Sequence, residues 1–246
     1  MGILGDLNHH IVQRFNTDLE DLRHHVLTMG GLVEHQLDGA LTALTTGDGE
    51  LGEAVARADY RVNAMEVAID ERCARLIALR QPAATDMRLV LTVSKTIADL
   101  ERIGDESKRV ALMAVRITAS GEDFAQREAS RLGLMGVSVK RQLHGALDAF
   151  ARVDAEAALE VIRNDAAIDQ EHDEVQRRVL CRMSAVPADI DRLMGICWAA
   201  RALERIGDHA KNVAEYVVYL VYGKDIRHTH PTPRETPAPV TSPGHR

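Results

Sequence analysis

The chain has 246 residues, of which 46% are hydrophobic and 3% aromatic, and a formal net charge of -7. That length can bury one large core or two of roughly 100 residues each. The negative balance and the few scattered aromatics argue against a broad electrostatic or stacking grip on nucleic acid, and they leave Ala, Leu, Val, Ile and Met, mostly good helix formers, to build an all-α core.

Along the chain, Leu19, Leu22, Val26, Met29, Val33, Leu37, Ala40 and Leu44 recur every three or four residues, the stripe of a first helix that stops at Gly47, Asp48 and Gly49. A second stripe runs Val55, Ala58, Val62, Met65, Ile69, Cys73 and Leu76 and breaks at Pro82. The pattern predicts further helices over 85–119, 123–151 and 154–184, then a break at Pro187 and a last helix to Tyr222 with Gly223 as its stop. The result is six helices in two sets of three. Five of the seven prolines fall in the last 16 residues, so 226–246, rich in Pro, Thr and His, is expected to be a disordered tail.

Cys73, Cys181 and Cys197 lack metal-ligand spacing and lie among apolar helical residues, which reads as reduced core cysteines of a cytosolic protein. The opening MGILGDLNHH is too short in apolar residues for a signal peptide, Asp6 stands where a myristoylation signal needs Ser or Thr, and no window reaches a membrane span, so a soluble chain is expected.

The second half repeats the first. DYRVNAMEVAID from Asp59 aligns with DAAIDQEHDEVQ from Asp165 at an offset of 106, Pro82 with Pro187, and LERIGDESKRVA with LERIGDHAKNVA at an offset of 103. Each unit is too long for a solenoid repeat, and its three helices can enclose a core. The organisation expected is therefore a tandem of two three-helix bundles, residues 1–121 and 122–225, followed by the tail.

The repeated LERIGD places Glu101 and Asp105, and again Glu204 and Asp208, four residues apart on one helical face. The preceding helices carry Asp59 with Asn63 and Asp165 with Asp169, and five of the eight positions directly follow an apolar residue such as Ala58 or Leu100. Two readings fit. Facing helices bring four oxygen-bearing side chains together as a nest for a hard or borderline cation, with Gly104 and Gly207 giving room at a cost of about 0.8–1.0 kcal/mol each relative to Ala. Alternatively, Asp105 pairs with Lys108 or Arg109 and Asp208 with Lys211 as surface ion pairs. His172, one turn beyond Asp169, is either a nitrogen ligand or a solvated residue, and His209 is expected to be exposed. No phosphate-cradling loop and no nucleophile with a His and acid partner is evident, and the Glu-x-x-His pairs of di-iron bundles are missing.

The segments DxxVNxMExxID, LRQPAATDMRLV, DLERIGDESKRVA and ALERIGDHAKNVAEYVVYLVYG, spread over residues 9–228, resemble the PhoU family of accessory proteins of bacterial phosphate-specific transport. The resemblance implies an elongated six-helix protein, often a homodimer, whose E(D)xxxD pairs hold multinuclear metal clusters. The ligands it implies are Asp59, Asn63, Glu101 and Asp105 in one copy and Asp165, Asp169, Glu204 and Asp208 in the other. Asn63 departs from the acidic pattern, which weakens the first set. Iron, manganese, zinc and magnesium all remain open as the metal. It also implies a non-enzymatic cytoplasmic regulator that joins the ATPase of the phosphate ABC transporter to a sensor histidine kinase and keeps phosphate-starvation genes off when phosphate is plentiful. It would meet the membrane only through those partners. The runner-up is a carboxylate-bridged metalloenzyme or metal-storage bundle.

Overall fold

A computed structural model of the chain describes residues 3–80, 82–118, 123–187 and 190–226. Among these residues the helices are α1 (Ile3–Thr46), α2 (Gly49–Ala58), α3 (Tyr60–Arg80), α4 (Ala84–Thr118), α5 (Asp123–Arg152), α6 (Ala155–Ala185) and α7 (Ile190–Tyr222). Six are long and α2 is short. The expected Pro/Thr/His tail lies, apart from Ile226, outside the described residues.

The second predicted helix is divided into α2 and α3 at Asp59. Asp59 keeps helical angles (φ -55, ψ -32), but its carbonyl accepts from Val62 N at 2.9 Å while Asn63 N reaches it only at 3.4 Å. The turn is tightened there. Gly52 accounts for the difference: a Cβ on it would lie 2.7 Å from the Ala111 carbonyl oxygen, so α2 rests against the α4 backbone itself. The residue equivalent to Gly52 is Ala158, and α6 runs unbroken through Asp165.

The joints after the first helix of each copy follow one design. Asp48 caps α2 by accepting from Leu51 N at 2.9 Å, and Asp154 caps α6 by accepting from Ala157 N at 3.0 Å. Each cap contributes about 1 kcal/mol. Their own N–H groups bond back to Ala43 and Ala149, closing the preceding helices. The residue before each cap is left-handed: Gly47 at φ 73 and, in the second copy, Val153 at φ 53. A β-branched side chain is strained there.

The long helices α1, α4, α5 and α7 form the centre. The most extensive contact is α4 on α7, and α1 packs on α4 and α5 while α5 packs on α7. The α2–α3 arm lies against α1 and α4, and α6 lies against α5 and α7. One continuous apolar core, from Leu22 and Met29 through Leu100 and Leu143 to Val217, joins the two copies. At the α1–α5 seam the relation is reciprocal. A Cβ on Gly30 would stand 2.6 Å from Leu147 Cδ2, and one on Gly136 would stand 2.3 Å from Leu41 Cδ2. Gly136 and Leu147 are Gly30 and Leu41 moved on by 106 residues, so each helix seats a leucine on the other's glycine, as a two-fold relation between copies requires. Asp38 with Lys140 and His144 with Glu34 repeat the exchange at the surface.

Of the three cysteines, only Cys73 is buried, with its thiol pushed up to about 12 by burial. Cys197 is half-buried against the core and Cys181 is exposed, so the core reading fails for Cys181.

Val153→Gly removes the left-handed strain. It should stabilise the chain by about 1 kcal/mol, or roughly 2–4 °C in Tm, and Gly47→Val should lower Tm. A calorimetric scan of the two variants checks both signs.

Candidate functional site: a duplicated Gln, Asp and Lys cluster

Asp59 is buried, with 2% of its surface exposed. Its Oδ1 accepts from Gln36 Nε2 on α1 at 2.9 Å and its Oδ2 from Lys108 Nζ on α4 at 3.1 Å. In the second copy Asp165 Oδ1 accepts from Gln142 Nε2 on α5 at 2.9 Å and Oδ2 from Lys211 Nζ on α7 at 2.7 Å. A buried carboxylate is costly unless both oxygens are satisfied, and each is satisfied by a different helix. The three helices of each copy are thereby pinned at one point.

The repeated glycine is explained at this point. A Cβ on Gly104 would sit 3.2 Å from Val62 Cγ1 and 3.4 Å from both Asp59 Oδ1 and Gln36 Oε1. One on Gly207 would sit 3.0 Å from Gln142 Oε1 and 3.4 Å from Ile168. The glycine clears the path of the amide that reaches Asp59 or Asp165, and Gln36 Nε2 also donates to the Gly104 carbonyl at 3.1 Å.

The eight candidate residues are distributed unevenly. Asp59 and Asp165 are buried, Glu101, Asp105 and Glu204 are half-buried, and Asn63, Asp169 and Asp208 are exposed. In the second copy Glu204 and Asp208 are both shifted by the carboxylates around them. Burial pushes Glu204 up, followed by the fields of Asp208 and Asp169, with Arg201 opposing. Burial and then Asp165 and Asp169 push Asp208 up. In the first copy burial, Asp105, Glu66 and Asp59 raise Glu101, while Arg102 opposes them. Glu66, itself raised by burial and then by Asp70, is a member that the i, i+4 pattern misses. Its position, seven residues past Asp59, is taken by His172 in the second copy, and the 106-residue offset is the signal that could have found it.

The surface ion pairs are not those expected. Lys108 and Lys211 bond to Asp59 and Asp165 across the helix seam, and Arg109 bonds to Glu106 at 2.7 Å. The histidines differ as well. His172 is buried rather than solvated. His209 Nδ1 stands 2.7 Å from Asp99 Oδ1, so it belongs to the α4–α7 seam and not to the solvent. Asn212 Nδ2 at 3.1 Å and Tyr216 OH at 2.8 Å complete the shell of Asp99.

The chemistry of the donor set suits a hard cation, since it consists of carboxylates with at most one imidazole. Glu204 Oε2 is buried without a hydrogen-bond partner, the kind of acceptor that a cation satisfies. In this arrangement, however, no three His, Cys, Asp or Glu side chains among the described residues are grouped as ligands. The charge that meets Asp59 and Asp165 is lysine.

The raised carboxyls set a pH dependence. A carboxyl whose pKa is higher in the folded than in the unfolded chain holds its proton more tightly when folded. It therefore supports the fold at acidic pH, and that support is lost as pH rises from the unfolded values near 4 through the raised ones. Converting Glu204 to Gln together with Asp208 to Asn should raise Tm at pH 7, with the gain shrinking toward nothing at pH 4. An equal gain at both pH values would mean that the mutual repulsion is absent.

A family model described as the PhoU domain matches this chain twice, at residues 26–114 and 132–217, once in each copy and each time across an LERIGD segment. The phosphate-specific transport system accessory protein PhoU homolog of Pseudomonas aeruginosa is 47% identical over 222 residues, 90% of this chain and 91% of that one. The phosphate-specific transport system accessory protein PhoU of Escherichia coli K12 is 42% identical over 226 residues, 91% of each. Among solved structures, PhoU from Pseudomonas aeruginosa superposes with a TM-score of 0.80 at 46% identity, covering 84% of this chain and 98% of that one. The phosphate transport system regulatory protein PhoU from Streptococcus pneumoniae gives 0.77 at 29% identity, covering 86% and 98%. With the duplicated helices, the repeated hexapeptides and the full-length match in agreement, the chain belongs to the PhoU family.

Proposed function

We propose that this chain is a regulator of phosphate uptake and signalling. It acts as an adaptor between the ATPase of a phosphate ABC transporter and a sensor histidine kinase, and it represses phosphate-starvation genes when phosphate is plentiful. The observation that carries the reading is the match, over 90% of this chain, to a relative named as an accessory protein of phosphate-specific transport. An adaptor role also accords with the chemistry of the cluster, where carboxylates are held by lysine and amide groups with no nucleophile beside them. No described helix is long and apolar enough to cross a membrane, so the approach to a transporter is through protein contacts. The chain works in the cytoplasm as a homodimer.

Metal binding is the second part of the proposal. Asp59, Asn63, Glu101 and Asp105, with Glu66, form the weaker set, and Asp165, Asp169, Glu204 and Asp208 the stronger one. Oxygen donors favour magnesium and manganese, and iron and zinc are accommodated through His172. A bound cation would supply the positive charge that these crowded carboxylates lack, and Lys108 and Lys211 compete with it for the two buried aspartates.

Deleting the gene should switch on phosphate-starvation genes in phosphate-replete cells, and deleting the kinase as well should switch them off again. The purified protein should retain the kinase or the transporter ATPase and show no specific affinity for the affected promoters. Unchanged expression in the deletion strain, or direct promoter binding, rejects the adaptor. Oxygen consumption or redox turnover by the iron-loaded protein would favour the metalloenzyme instead. Glu204→Ala with Asp208→Ala should remove most metal from the second copy by elemental analysis, whereas Glu50→Ala with Glu53→Ala should not.

A further inference from the structure

The duplication allows each arginine of one copy to be compared with its counterpart in the other. In the second copy, Glu128 on α5 is fully buried and is bound by Arg131 and by Arg178 on α6, whose Nε lies 3.4 Å from Glu128 Oε2. Arg178 also pairs with Glu174. Moving back by 106 residues turns Arg178 into Arg72, Glu128 into Leu22 and Glu174 into Ala68. The first copy has the arginine but neither of the carboxylates that hold its counterpart. Among the described residues Arg72 has no hydrogen-bond or ion-pair partner, and neither has Arg75, one turn along the same face of α3.

These two arginines line a cleft of about 290 Å³ between α1 and α3. Leu22, Leu76 and Leu79 give it apolar walls, and Leu79 is 72% exposed. Arg80 is held by Asp18 at 3.2 Å, and Asp21 lies on the same side. Among the described residues, three guanidinium groups against two carboxylates leave one net positive charge in the cleft. That balance suits one carboxylate, which two arginines grip through paired N–H donors, whereas a phosphate dianion would be repelled by Asp18 and Asp21. The leucines beside the arginines suit an aliphatic side chain, and arginine with aliphatic anchors is the composition of interface hot spots.

We propose that this cleft is a docking site for an acidic segment of a partner protein. A glutamate or aspartate of that segment binds Arg72 and Arg75 as Glu128 binds Arg178 within the chain, and an adjoining aliphatic residue packs on Leu76 and Leu79. The proposal stands independently of which proteins the chain serves. It concerns the outer end of the α1–α3 pair and uses none of the carboxylate cluster.

The test uses the full chain and a fluorescein-labelled amphipathic peptide with leucine and glutamate at helical spacing, followed by anisotropy in about 0.1 M salt. Saturable binding is expected. Arg72→Gln with Arg75→Gln, both at exposed positions, should weaken it by at least about tenfold. Leu22→Glu, which supplies in cis the carboxylate present in the second copy, should weaken it similarly, provided circular dichroism shows the fold retained. Arg61→Gln, at an exposed arginine elsewhere on α3, should leave binding unchanged. The proposal is overturned if Arg61→Gln weakens binding as much as the double variant, if a peptide with glutamine in place of glutamate binds equally well, or if the wild-type chain does not bind. Displacement of the peptide by about 10 mM inorganic phosphate at constant ionic strength would also overturn it, by making the cleft a phosphate site.

Discussion

The buried aspartate is the constraint on which each copy is built. Asp59 stands at the joint between α2 and α3, and it can be buried only if Gln36 of α1 and Lys108 of α4 arrive on its two oxygens together. Removing one partner of a buried charge costs about 3–5 kcal/mol, at the lower end here because the Lys108 side chain is 39% exposed. That requirement fixes the register of three helices against one another, which an apolar stripe alone leaves free to slide by a turn. Asp165 imposes the same registration on α5, α6 and α7. The glycine of LERIGD accords with it, since a Cβ there would crowd Val62 in the first copy and the Gln142 amide in the second.

The helices and the duplication were legible in the sequence because both are local or periodic. Apolar stripes marked α1, α4, α5, α6 and α7 to within a residue or two at most ends, and the first helix stopped where Gly47, Asp48 and Gly49 placed the break. The partners of the charged residues were not legible. Lys108 is three residues from Asp105 and 49 from Asp59, and sequence proximity favoured the wrong carboxylate. Gln36 and Gln142 carried no motif, although they stand 106 apart like the aspartates that they bind. The tightened turn at Asp59 lies beside a close approach of α2 to α4 that Gly52 permits, a fact of packing between segments some 60 residues apart.

The seams between copies show how far the two have diverged. At α1–α5 the glycines and leucines still exchange places, because a Cβ on either side would collide with the other helix. At α4–α7 the exchange is lost. Asp99 gathers His209, Asn212 and Tyr216, but its own counterpart in the repeat is Ala202. Glu106, buried against Arg109 and Arg205, holds the place that corresponds to His209. A seam of small and apolar groups tolerates only matched changes, whereas a polar seam can be rebuilt if every buried group finds a new partner.

Divergence has also moved charge between the copies. The second copy retains four carboxylates around Asp165 and satisfies Arg178 internally with Glu128 and Glu174. The first has an amide at Asn63 but carries Glu66 where the second has His172, and it leaves Arg72 unpaired beside Leu22. Neutralising a buried glutamate and its arginine together would leave apolar packing intact and cost little. Losing the glutamate alone leaves the arginine's charge to solvent and to whatever approaches α3 from outside. An unpaired arginine beside the exposed Leu79 is surface suited to contact, and it gives the first copy an outward-facing feature that the second, with Glu128 and Glu174 on its arginine, does not have.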